Sequence, residues 1–136
     1  MKTVVLLGLA VVSCRPHLPY VETDAIDRVG DLERLMNVQA DTADPGFDLA
    51  SDLADDPAAA TDAQLGRLIE MGVRLTRTAR RIEAFSMGAR FDELARNLGT
   101  RAADLERAAR SGDKPATVQA VFAIRDACRT CHKEFR

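Results

Sequence analysis

The stretch Ala89–Arg136, ARFDELARNLGTRAADLERAARSGDKPATVQAVFAIRDACRTCHKEFR, reads as two helices joined by a tight turn. Phe91, Leu94, Leu98, Ala102 and Leu105 recur every three or four residues, which puts them on one helical face. Ser111-Gly112-Asp113 ends that run, with Gly112 suited to the left-handed residue after a helix. Pro115 suits the first turn of a second helix, along which Val118, Val121, Phe122, Cys128, Cys131 and Phe135 follow one side. A link this short makes the two helices antiparallel neighbours.

Working outward, a preceding helix is expected from Thr61 or Asp62 to about Phe85, with Leu65, Leu68, Ile69, Leu75, Ile82 and Phe85 on its buried side. Arg74, Arg77, Arg80 and Arg81 crowd the other side and read as a solvated face. Ser86-Met87-Gly88 separates this helix from the next. Before it, Ile26, Val29, Leu32 and Met36 predict a first helix over Glu22–Ala40, capped by Thr23 or Asp24. A long acidic connection over Asp41–Thr61 is expected next, because Asp44-Pro45-Gly46 and Asp56-Pro57 are turn signals. A short amphipathic piece near Phe47–Leu53 would lie across the bundle. No segment alternates with a period of two. The fold class is all-α, an antiparallel four-helix bundle in up-down-up-down order.

Composition agrees with a small helical domain. The 136 residues are 46% apolar, 29% charged and only 4% aromatic, without Trp. A core so poor in aromatics gains from a large apolar cofactor. Net charge is −2, but residues 15–62 hold 12 acids and 3 bases, whereas residues 63–136 hold 9 acids and 15 bases. Such asymmetry can orient a charged partner. The basic half is spread over helix faces without interleaved aromatics, so nucleic acid is not an expected partner.

The N-terminal MKTVVLLGLAVVSC has a positive Lys2 and a short apolar run over Val4–Val12, too short for a membrane span. It reads as a secretory signal over residues 1–13. Val11-Val12-Ser13-Cys14 resembles a bacterial lipobox, and that resemblance implies cleavage before Cys14 and lipidation there. Residues 14–21 would then be a lipidated tether and 22–136 the folded domain, held at a membrane surface in the periplasm or another extracytoplasmic space.

With Cys14 so used, Cys128 and Cys131 remain. Cys128-Arg129-Thr130-Cys131-His132 is C-x-x-C-H, the signal for covalent c-type haem attachment. On a helix, positions i, i+3 and i+4 share one face. Two thiols can then add across two vinyl groups of one haem, while the imidazole of His132 meets the iron. A redox disulfide is the first alternative, but it wants a βαβ setting. Zinc is the second, but it needs a fourth ligand that no other Cys/His cluster supplies.

A C-terminal C-x-x-C-H on the last helix of such a bundle resembles the class II c-type cytochromes, the cytochrome c-prime family. The ending Cys128-Arg129-Thr130-Cys131-His132-Lys133-Glu134-Phe135-Arg136 carries the likeness. It implies one covalent haem c with His132 as axial ligand. The low-spin branch of that family takes a second axial ligand from a Leu-Met pair in the first helix, and Leu35-Met36 matches it, so Met36 is expected on the iron with His132. Met71, Met87 and His17 are weaker candidates for that position. Arg125, Arg129 and Arg136 are candidates to compensate the haem propionates.

The expected function is carriage of single electrons between redox partner proteins, with no enzymatic turnover, since no nucleophile or acid–base pair stands out. The family resemblance also admits a homodimer. Two other readings remain: a five-coordinate member binding nitric oxide or carbon monoxide, and a non-haem helical lipoprotein adaptor.

Overall fold

A computed structural model describes residues 18–135 of the chain. Cys14, His17 and Arg136, and with them the signal and lipidation expectations, lie outside the described residues. Four long helices pack against each other as a four-helix bundle: α1 (Leu32–Asp52), α2 (Asp62–Glu83), α3 (Ala89–Arg110) and α4 (Lys114–Phe135). Among the described residues there is no strand, and no helix is long and apolar enough to cross a membrane.

The last three helices start and stop where their sequence directs. Thr61 and Gln64 form a capping box at the start of α2, each side chain accepting from the other's backbone N–H. After α3, Gly112 takes φ +73°, its N–H donates to the Ala109 carbonyl and that of Asp113 to the Ala108 carbonyl. This two-bond closure satisfies carbonyls that the helix end leaves free. Asp113 then caps α4 by accepting from the Ala116 N–H at 3.0 Å.

The first helix differs from expectation at both ends. Residues Thr23–Arg28 form a separate 3₁₀ turn, and α1 begins only at Leu32, capped by Asp31, which accepts from the Arg34 N–H at 2.7 Å. Ile26 and Val29 are therefore not on the same helical stripe as Leu32 and Met36, although all pack in one apolar cluster. At the other end α1 runs through Pro45 to Asp52, where a loop was expected. The packing explains this. A Cβ at Gly46 would collide with the Met71 side chain, so the glycine lets α1 lie close against α2. Asp41, whose carbonyl loses its helical donor at Pro45, is exposed and open to solvent. The connection shrinks to residues 53–61, containing a 3₁₀ turn at Pro57–Ala59.

Buried apolar residues form two clusters. The larger, around Leu68, Leu75, Leu105, Val121 and Ile124, fills the middle of the bundle and the end where α1 and α3 finish. The smaller one joins Val21, Ile26 and Val29 to Leu35, Val38, Ile82, Phe91 and Ala95.

A second correction concerns the arginines of α2. Arg80 is exposed, but Arg74 is only 5% exposed. Its guanidinium donates to Thr42 Oγ1 (3.2 Å), Tyr20 Oη (2.8 Å), Thr23 Oγ1 (3.0 Å) and the Val21 carbonyl (2.9 Å). It also lies over the Tyr20 ring, 4.6 Å from the centroid. Arg77 and Arg81 donate to the Thr23 and Val29 carbonyls. This face of α2 therefore holds the N-terminal segment onto the bundle instead of facing water.

Candidate functional site

Antiparallel order brings the start of α1, the end of α2, the start of α3 and the end of α4 to one end of the bundle. There one cleft is lined by Met36 and Gln39 of α1, Ile82 of α2, Phe91, Leu94, Ala95 and Leu98 of α3, and Ala127, Cys128, Cys131 and His132 of α4. Residues 128, 131 and 132 are all within α4, so the helix turns the two thiols and the imidazole toward the same cleft.

The remaining walls are almost wholly apolar. Leu94 and Leu98 are each 7% exposed, and Ile82 is 3% exposed. Next to the lining residues in sequence, two contacts tie α3 to α4. Arg90 donates to both carboxylate oxygens of Glu134, at 3.0 and 2.7 Å. The Phe91 and Phe135 rings meet edge to face with centroids 5.2 Å apart. Arg90 holds the Glu134 carboxyl below its ordinary range through this bond, and the guanidinium is correspondingly raised.

Both thiols are raised above the ordinary cysteine value. Burial pushes Cys128 up to about 11, with smaller contributions from Cys131 and Asp44. Burial, and then Glu134, raises Cys131 as well. Neither cysteine is in a disulfide. Among the described residues no group of three or more His, Cys, Asp or Glu side chains is placed to hold a bare metal ion.

The cleft fits a haem by its chemistry. It offers two thiols for attachment, an imidazole and a thioether for iron, and apolar walls for a porphyrin. It also contains one buried polar atom with no protein partner, the Gln39 amide Nε2. The cleft is narrow, about 30 Å³, so its apolar side chains must part to seat a flat macrocycle.

Of the other sequence candidates, Met71 is 4% exposed and packs in the larger cluster, and Met87 is 56% exposed in the α2–α3 turn. Neither lines the cleft. Arg125 lies over the Phe122 ring at 4.7 Å, with its Nε buried and unpartnered, and Arg129 is 3.9 Å from Asp126. Gln39 was missed from sequence. Its only signal is its position three residues after Met36, one turn along the same helix.

A four-helix bundle with C-x-x-C-H at the end of its last helix defines a class of haem-binding proteins. The family profile described as Cytochrome C' matches residues 54–136, and the chain belongs to that family. No curated protein and no solved structure matches the chain. The family binds haem c, works in electron transfer or gas binding, and is typically periplasmic.

Proposed function

We propose that the chain is an exported, lipid-anchored monohaem cytochrome that carries single electrons, with iron held between His132 and Met36. The observation that carries this reading is the shared cleft: Met36 of α1 and Cys128, Cys131 and His132 of α4 line the same apolar space. When bound, a haem supplies a one-electron couple whose balance depends on its axial ligands.

Cys128 and Cys131 would hold the group covalently through their two thiols, one at each of its vinyl substituents. His132 would supply an imidazole nitrogen and Met36 a thioether sulfur to the iron. The apolar walls from α2 and α3 keep water from the ligand atoms. Glu134 and Arg90 pair with each other between α3 and α4.

The partners in this reading are soluble or membrane redox proteins, with the lipid on Cys14 holding the carrier at a membrane surface. It needs no substrate turnover. A spectrum of the ferric protein, made in a host that matures c-type cytochromes, tests it. Low-spin iron that Met36→Ala turns high-spin supports the reading. High-spin iron and ready carbon monoxide binding in the wild type would instead leave the open-faced, gas-binding reading. A protein lacking covalent haem would remove both.

A further inference from the structure

Gln39 is 8% exposed, and its amide Nε2 is buried without a hydrogen-bond partner among the described residues. A buried donor left unpaired is expensive, so such a group in a native fold points to an acceptor that completes it. Gln39 lines the same cleft as Met36 and sits three residues after it on one face of α1; the two side chains are not bonded in this structure, and a haem seated in the cleft would have to bring the amide and the sulfur together.

The acceptors that face this cleft are few. Ile82, Phe91, Leu94, Ala95, Leu98 and Ala127 carry no polar side-chain atom. Cys128 and Cys131, once thioethers, keep weakly accepting sulfurs, but they belong to α4 and not to the helix that carries Gln39, and His132 would be on iron. A thioether sulfur has two lone pairs. Coordination uses one and leaves the other as an acceptor on the α1 side.

We propose that Gln39 is a positioning residue for the axial ligand, its Nε2–H donating to the Met36 sulfur. The proposal rests on the Met36 reading above. The bond draws electron density from the sulfur and turns the positive end of an amide dipole toward the iron. Both effects favour the ferrous form. The side chain also ties Met36 in place from one turn away, so the ligand is held by its neighbour on the same rigid element.

The test uses the haem-loaded protein and reads the ferric–ferrous balance at a fixed applied potential, with the optical spectrum recorded alongside. Gln39→Leu keeps the size and apolar fit of the wall but removes the donor. Gln39→Asn keeps the amide and shortens its reach by one methylene. Both variants are expected to stay low-spin and to move the balance toward ferric by about fivefold, the change for a hydrogen bond about 1 kcal/mol stronger in the ferrous than in the ferric form.

In a Met36→Ala background the same Gln39→Leu change is expected to leave the balance where it was, since the effect runs through the sulfur. An unchanged balance in both variants, with low-spin wild type, overturns the proposal while leaving Met36 as ligand. An undiminished Gln39→Leu effect in Met36→Ala also overturns it, and assigns the amide to another acceptor such as a propionate. A high-spin wild type refutes the Met36 reading itself and this proposal with it.

Discussion

Replacing Arg74 by Met should cost about 3 kcal/mol and release the N-terminal segment from the bundle. The guanidinium is 5% exposed and makes four hydrogen bonds, three of them to residues 20–23. Each such bond is worth ~0.5–1.5 kcal/mol net, and four give roughly 4 kcal/mol. Relief from burying a charge returns part of that. Met keeps most of the apolar stem, so packing loss is small. The shift corresponds to a melting temperature lower by roughly 10 °C for a domain of this size. Urea unfolding followed by helical circular dichroism measures it, and limited proteolysis of the 18–31 segment should show faster cleavage. Arg80→Met, on the exposed side of the same helix, is the control and should stay within ~0.5 kcal/mol of wild type. An Arg74→Met protein as stable as that control, with the segment equally protected, would refute the clamp.

Three further outcomes follow from named contacts. Gly72→Ala should destabilise by ~1–3 kcal/mol, because its Cβ would sit 2.9 Å from the Ala102 carbonyl oxygen and 3.0 Å from the Glu106 nitrogen of α3; Gly46→Ala should cost less, since the colliding Met71 side chain can turn aside. Thermal melts of the two variants compare them. Arg90→Gln should weaken the fold near neutral pH but not in acid. The folded Glu134 carboxyl is lowered by Arg90, so the pair's contribution is present above the ordinary value of 4.5 and fades as pH falls through the lower, folded one. Stability curves of the two proteins against pH should therefore converge at low pH. In the haem-free chain, iodoacetamide should modify both thiols slowly at pH 7, with the Cys128 rate climbing until about pH 11, as mass spectrometry of each peptide would show.

The fold was legible where local and tertiary signals agree. Helix α3 was expected over Ala89–Arg110 and occupies those residues, because positive-φ glycines at its two ends and an apolar stripe between them all point one way. The first helix was misplaced because they conflict. Asp44-Pro45-Gly46 is turn chemistry in isolation, but close packing on Met71 selects helix instead. Arg74 was misread because a periodic pattern marks which face is polar, not what lies over it. Its partners are 32 to 54 residues away in the chain, and no local rule connects them. For the site, the spacing of Cys128, Cys131 and His132 shows on one helix. The meeting of Met36 with them depends on the start of α1, which was misjudged. Gln39 was invisible because an amide on a helix gives no sign of whether it will be buried.

The two apolar clusters explain why the cleft lies where it does. The larger cluster is built mainly from aliphatic residues of all four helices, and its members Leu98 and Ala127, with Cys128 packed against it, form one side of the cleft. The smaller one lies at the end where α1 begins, and α1 starts late there, only at Leu32. The segment carrying Val21, Ile26 and Val29 fills the place of the missing helical turns. Ile82, Phe91 and Ala95 belong to that cluster and are also walls of the cleft. The polar side of the same segment is what Arg74 holds. On α1 the residues against the segment, Arg34, Asn37, Val38 and Asp41, lie on the side opposite Met36 and Gln39 at ~100° per residue. One helix thus has the clamp behind it and the cleft before it. Loosening the clamp would slacken the packing of Ile82, Phe91 and Ala95 without touching a ligand atom. On the proposed His132–Met36 ligation, the hold on Met36 would therefore be set partly by residues that never reach the iron.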